Sequence, residues 1–160
     1  MSTPDWVADS IFYQIFPDRF NNGSKSNDPP NIRPWNSLPT NKSFFGGDII
    51  GIIKKFDYLL DLGINAIYLN PIFQSPSNHR YNTYDYFKID PKLGEMKTFL
   101  QLLDVAHQNK VHVILDGVFN HCGRGFFAFA DVLENKADSP YVDWYHIKDF
   151  PLNAYSPGKA

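Results

Sequence analysis

The sequence predicts an α/β fold with a parallel sheet, and three observations carry that prediction. Short apolar runs at 11–16, 64–69 and 111–116 are bounded by Pro, Gly, Asn and Asp, the pattern of strands buried on both faces. Between them lie two segments, 48–62 and 95–109, whose apolar residues recur at three- and four-residue spacing, as on the buried face of a helix. Polar residues gather where the third run ends, in Asp116, Asn120 and His121. Carboxyl ends of parallel strands are where α/β folds place their chemistry.

The elements follow in order. Ile11 to Phe16 is a first strand, stopped by Pro17. From 21 to 42 the chain is rich in Asn, Pro and Ser, with prolines at 29, 30, 34 and 39. Irregular loops of that length in compact domains are functional or disordered. Asp48 is placed to cap a helix that buries Ile49, Ile52, Ile53, Phe56, Leu59 and Leu60 and ends at Gly63. Ile64 to Leu69 is the second strand, halted by Asn70-Pro71, with a loop running on to Lys92. A second helix should bury Met96, Phe99, Leu103 and Ala106, and Val111 opens the third strand. Strand, helix, strand, helix, strand implies parallel pairing through right-handed crossovers. From Gly123 onward the chain reads as irregular and aromatic.

Composition narrows the function classes. A length of 160 residues suits one domain, and a complete chain of that size buries about 70% of its unfolded surface. A formal net charge of −2 offers no footprint for nucleic acid and no basic run for a membrane surface. The single cysteine, Cys122, excludes an internal disulfide and fits a reducing compartment. Met1 to Asp5 lacks a secretory signal, so the expected location is the cytoplasm. Aromatic residues reach 16%, with 14 Phe and 9 Tyr, which suits stacking on sugar rings and equally suits an aromatic core.

Five motifs point to a family. They are Ile11-Phe-Tyr-Gln-Ile-Phe-Pro-Asp-Arg-Phe20, Phe45-Gly-Gly-Asp48, Leu62-Gly-Ile-Asn-Ala-Ile-Tyr-Leu-Asn-Pro-Ile72, Tyr81-Asn-Thr-Tyr-Asp-Tyr86 and Asp116-Gly-Val-Phe-Asn-His121. In this order the chain resembles the α-amylase family of glycoside hydrolases. The first motif, with Phe73-Gln-Ser-Pro-Ser-Asn-His79 and Phe126-Phe-Ala-Phe-Ala-Asp-Val-Leu133, looks most like its neopullulanase and cyclomaltodextrinase branch. The resemblance implies the N-terminal portion of a TIM (β/α)8 barrel, about three strands and two helices, over 1–122. Residues 123–160 would begin the small second domain that follows the third barrel strand, opening at Tyr141 to Lys148. A closed barrel needs about 250 residues, so a truncated chain is expected, with two outer strands exposing unpaired backbone.

The resemblance also implies the chemistry. A retaining glycosidase uses two carboxyl groups about 5 Å apart, and the family carries them on later strands, so no catalytic residue is expected here. Asp116 matches the acid that orients neighbouring groups, His121 a residue that donates to the sugar, and Tyr81 a ring that stacks beneath it. Against these stand plainer roles: a His bonded to a loop carbonyl and a Tyr plugging a loop. Asp85 is expected to accept loop backbone bonds, Asn120 matches a metal ligand that this branch dispenses with, and Arg80 and Asn82 have no fixed direction. Asn22, Ser24, Asn27, Asp28, Gly46 and Asp48 match a calcium site of the branch. Their oxygens suit Ca²⁺, although Ser24 stands where a carboxylate is usual, and an ion-free Asn-rich turn fits as well. The expected partner is an α-glucan or maltooligosaccharide, and the expected activity that of an α-glucan hydrolase, absent from 160 residues alone. A glucan-binding pseudo-enzyme, or a glucosyl transferase or isomerase of the family, remains an alternative.

Overall fold

The computed structural model describes residues 2–152. A three-stranded parallel sheet holds β1 (Phe12–Ile15), β2 (Ala66–Leu69) and β5 (His112–Leu115) in the order β1-β2-β5. The register pairs Phe12 with Ala66 and Ala66 with His112. Alternation along the strands turns Ile15, Ile67 and Leu69 into one core, which leaves Gln14 and Tyr68 on the opposite face. Helices α1 (Ile49–Lys54), α2 (Phe56–Asp61) and α3 (Met96–Gln108) cover the core side through Ile49, Ile52, Phe56, Leu59, Phe99, Leu102 and Ala106.

Three differences from expectation have physical causes. The segment 48–62 is two helices rather than one. Lys55 leaves helical geometry at φ −108°, and its N–H is shared between the Gly51 and Ile52 carbonyls at 3.2 and 3.1 Å. On α3 the buried face centres on Leu102, while Met96 is exposed and Leu103 only partly covered. Only β2 is buried almost throughout. As outer strands with one neighbour each, β1 and β5 keep exposed Phe12, Gln14 and His112.

Three elements lie where loops were expected. β3 (Phe73–Gln74) and β4 (Asp85–Ile89) pair antiparallel and bracket the segment 75–84. Helix α4 (Phe127–Asn135) buries Ala128 and Val132, and its N-cap, Phe126, supplies no side-chain bond that would signal a helix start. The ends that were expected hold: Asp48 Oδ1 accepts from Gly51 N at 2.6 Å, and Gly63 closes α2 at φ +75°. No helix among the described residues is long and apolar enough to cross a membrane.

Candidate functional site

The carboxyl ends of the three parallel strands meet at one rim. Beyond β2, Asn70 N donates to the Ile15 carbonyl at 2.9 Å, and beyond β5, Asp116 N donates to the Leu69 carbonyl at 3.0 Å. The ladder thus runs one residue past β2 and past β5, setting Asn70 beside Gln14 and Asp116 beside the end of β2. Tyr81 arrives from the β3–β4 connection. Its hydroxyl donates to Asp116 Oδ2 at 2.7 Å and accepts from Asn70 Nδ2 at 3.2 Å, and Asn70 Oδ1 accepts from Gln14 Nε2 at 3.0 Å. Phe12, Gln14, Tyr68, Tyr81 and Asp116 line a concavity of about 540 Å³. The hydrogen bond to Asp116, with burial and the carboxylate's charge, pushes the Tyr81 hydroxyl up to about 12. Burial and the same carboxylate raise Tyr68.

Tyr81 and Asp116 therefore share one concavity, and His121 lines the one beside it. Its Nε2 donates to the Tyr81 carbonyl at 2.8 Å, while Asn120 Nδ2 lies 3.3 Å from Nδ1. The imidazole lines an adjoining concavity of about 700 Å³ with Tyr86, Phe119, Arg124, Phe126 and Trp144. His121 thus buttresses the Tyr81 backbone from one side. From the other, His79 Nδ1 accepts from Tyr81 N at 3.1 Å.

Neighbours whose direction the sequence left open turn away from the cleft. Arg80, at φ +60°, is 1% exposed and pairs with the fully buried Asp90 at 2.8 Å. Its Nη1 donates to the Asn78 carbonyl at 2.6 Å. Burial pulls its pKa down, opposed by Asp90 and Asp18. Asn82 Oδ1 accepts from Ser75 Oγ at 2.7 Å, and Asp85 Oδ1 accepts from Phe87 N at 2.8 Å in a local turn.

The six residues matched to a metal form two adjoining groups. Asn22 Nδ2 donates to Asp28 Oδ1 at 2.6 Å, and Gly46 packs against both at φ +77°. A β-carbon there would lie 2.5 Å from Asp28 Oδ1 and 2.6 Å from Asn22 Nδ2. In the second group Asp48, 0% exposed, accepts from Gly23 N, Ser24 N and Gly51 N at 3.0, 2.9 and 2.6 Å. The Asn27 amide meets both the Ser24 carbonyl and Asp48 Oδ2, the latter at 3.2 Å, and with its nitrogen turned toward them it donates to both. The Ser24 hydroxyl pairs with Ser26 Oγ at 2.8 Å. Amide, carbonyl and carboxylate oxygens of this kind fit a hard cation. Among the described residues, however, no group of three His, Cys, Asp or Glu side chains could hold a metal. The donor chemistry fits calcium with few charges, and much of Asp48 serves the backbone.

Sequence reasoning missed Gln14, Asn70 and Tyr68 as members of this network. One signal was available: Gln14 interrupts an apolar strand on the same alternation as Phe12. The buried Asp18 was also missed. It accepts from Phe45 N at 3.1 Å and from Arg19 Nε at 2.8 Å, and so ties the exit of β1 to the Gly46-Gly47 turn.

A profile of the alpha amylase catalytic domain matches residues 14–159. Cyclomaltodextrinase of Thermoanaerobacter pseudethanolicus is 55% identical over 152 residues, which are 95% of this chain and 26% of that protein. Neopullulanase 2 of Thermoactinomyces vulgaris is 49% identical, across 97% of this chain and 27% of that protein. Among solved structures, cyclic alpha-maltosyl-(1→6)-maltose hydrolase of Arthrobacter globiformis, complexed with cyclic alpha-maltosyl-(1→6)-maltose, aligns with TM-score 0.90 at 51% identity. That alignment covers 97% of this chain and 35% of the other. The chain thus spans about a quarter of the length of the curated relatives it matches.

Proposed function

From the premise that this chain belongs to the alpha-amylase family, we propose that it forms one wall of the substrate cleft of an α-glucan-acting glycoside hydrolase. Its three parallel strands and crossing helices are the N-terminal part of a TIM barrel. The observation that carries the reading is the 2.7 Å bond from Tyr81 to Asp116 at the carboxyl rim of that sheet.

In this reading each side chain has its own task. With its hydroxyl held by Asp116 and Asn70, Tyr81 offers a sugar its ring face, suited to the apolar C–H face of a glucose unit. Asp116, held by the Tyr81 hydroxyl and beside that of Tyr68, turns its carboxylate toward the same concavity. His121 exchanges the Tyr81 carbonyl for a sugar hydroxyl when glucan enters, at an equal count of hydrogen bonds. Asp116 is the only acid lining this concavity among the described residues, whereas the retaining mechanism needs two carboxyl groups about 5 Å apart. These 160 residues therefore hold a sugar without cleaving it.

Three further assignments belong to this reading. Asn22, Ser24, Asn27, Asp28, Gly46 and Asp48 hold a structural Ca²⁺ weakly, since only two are carboxylates. Residues 1–122 belong to the barrel, and 123–160 begin the excursion after its third strand. The protein works in the cytoplasm, in keeping with its one cysteine and with the 49% identical intracellular maltogenic amylase of Bacillus subtilis.

Titration of the 160-residue chain with maltotriose, beside a reducing-sugar assay on starch, tests the proposal. Weak binding that falls about tenfold in Tyr81→Ala, the 1.4 kcal/mol scale of one stacked ring, with no sugar released, is the expected result. Equal affinity in the variant, or sugar release abolished by Asp116→Asn, would overturn it.

A further inference from the structure

Gln14 is a polar side chain in the middle of an apolar strand, and its amide has one job: Nε2 donates to Asn70 Oδ1 at 3.0 Å. That bond fixes which way the Asn70 amide faces. With its oxygen toward Gln14, Asn70 presents Nδ2 to the Tyr81 hydroxyl at 3.2 Å. A hydroxyl has one proton and two lone pairs. Accepting from Asn70, Tyr81 is free to give its proton to Asp116 Oδ2 at 2.7 Å. The four groups come from β1, the end of β2, the β3–β4 connection and the end of β5, and every bond runs in one direction.

Reversing the first bond would reverse the logic. Were the Asn70 oxygen turned toward Tyr81, the hydroxyl would face two acceptors, the amide oxygen and the carboxylate, with one proton between them. The contact to Asp116 would weaken, and the ring would lose one of its tethers. A residue that never reaches Asp116 thus determines whether Asp116 receives the Tyr81 proton.

We propose that Gln14 and Asn70 are positioning residues. Gln14 sets the direction of the Asn70 amide, and Asn70 thereby directs the Tyr81 proton to Asp116 and holds the ring as a platform for a glucose unit. The relay itself stands on the hydrogen bonds, while its consequence for sugar affinity rests on the glucan-cleft reading above.

Two substitutions on different elements should break the relay in the same way. Gln14→Glu replaces the donor with an acceptor of nearly equal shape, so the Asn70 amide turns and shows its oxygen to Tyr81. Asn70→Asp places a carboxylate in competition with Asp116 for the same proton. Gln14→Met removes the donor without imposing the reversal and serves as the control for packing. The readout is the ring spectrum of Tyr81 in the 160-residue chain carrying ¹³C-labelled tyrosine, assigned by its loss in Tyr81→Phe. Maltotriose affinity and thermal midpoint are measured alongside.

Gln14→Glu and Asn70→Asp should move the Tyr81 signal in the same sense and weaken maltotriose binding about fivefold, the worth of one net hydrogen bond. Gln14→Met should move both less at a similar thermal midpoint. An unmoved Tyr81 signal in Gln14→Glu, or equal movement in Gln14→Met, overturns the relay. Should one variant fail to fold, the other gives the same reading from the neighbouring strand. A Tyr81 signal that responds in a wild-type chain with no affinity for maltotriose upholds the relay and refutes the glucan reading. Sugar binding by wild type with an unresponsive Tyr81 signal does the opposite.

Discussion

Arg80→Met should cost the fold about 3 kcal/mol, the lower end of the range for removing one partner of a buried ion pair. The guanidinium is 1% exposed and Asp90 0% exposed, 2.8 Å apart, so the substitution leaves a carboxylate with no route to water. Two contacts temper the loss. Lys92 Nζ lies 3.6 Å from Asp90 Oδ1, and Lys92 N donates to the same oxygen at 3.0 Å. The bond from Arg80 to the Asn78 carbonyl disappears too. Against a total stability of about 5–15 kcal/mol this is a large fraction, equivalent to a fall in Tm of roughly 6–12 °C. Urea denaturation followed by circular dichroism measures it. The double variant Arg80→Met with Asp90→Leu removes both charges and should recover most of the loss, because an apolar pair needs no compensation. A cost below about 1 kcal/mol for the single variant would refute the reasoning, as would a double variant as unstable as the two single changes added together.

Asp48→Ala should destabilise by about 2 kcal/mol, since three backbone N–H groups lose their acceptor and α1 loses its cap; thermal melts with and without calcium should also show any calcium-induced rise in Tm abolished. Alkaline stability should carry the mark of Tyr81. Its hydroxyl stays protonated in the fold up to about 12, whereas the unfolded chain releases that proton near 10. The contribution is complete below about pH 10 and is lost as pH rises toward 12, so Tyr81→Phe should lose stability less steeply across that window in denaturant titrations.

The sheet and its two principal crossovers were legible because buried strands and capped helices write their boundaries in residue types. Asp48, Gly63 and the apolar faces of 48–62 are examples. What stayed hidden depended on tertiary contact. Phe73–Gln74 is too short for any periodicity and exists as a strand only because β4 folds back beside it. Lys55 interrupts a helix whose apolar spacing continues unbroken on either side. At the site, motif resemblance singled out Tyr81, Asp116 and His121, yet it did not show that His121 would face the Tyr81 carbonyl. Nor did it show that Asn70 and Gln14 would complete the network, because those bonds join residues 11 and 56 positions apart. Arg80 had no direction legible in its sequence neighbours, because the buried Asp90 that holds it lies ten positions on.

The stack of Trp6 on His112, with ring centroids 4.0 Å apart and planes 17° from parallel, has a consequence in time. It joins the 3-10 turn Asp5–Val7 to the opening of β5. Contacts between distant positions must close a large loop before they return any stability, which makes them slow to form. A ribosome adding about 5–20 residues per second would leave Trp6 without its partner for roughly 5–20 s. Once β2 has been made, β1 and β2 can pair while the indole still lacks His112. The stacking of Trp6 on His112, followed by its fluorescence, is therefore a clock for the arrival of β5.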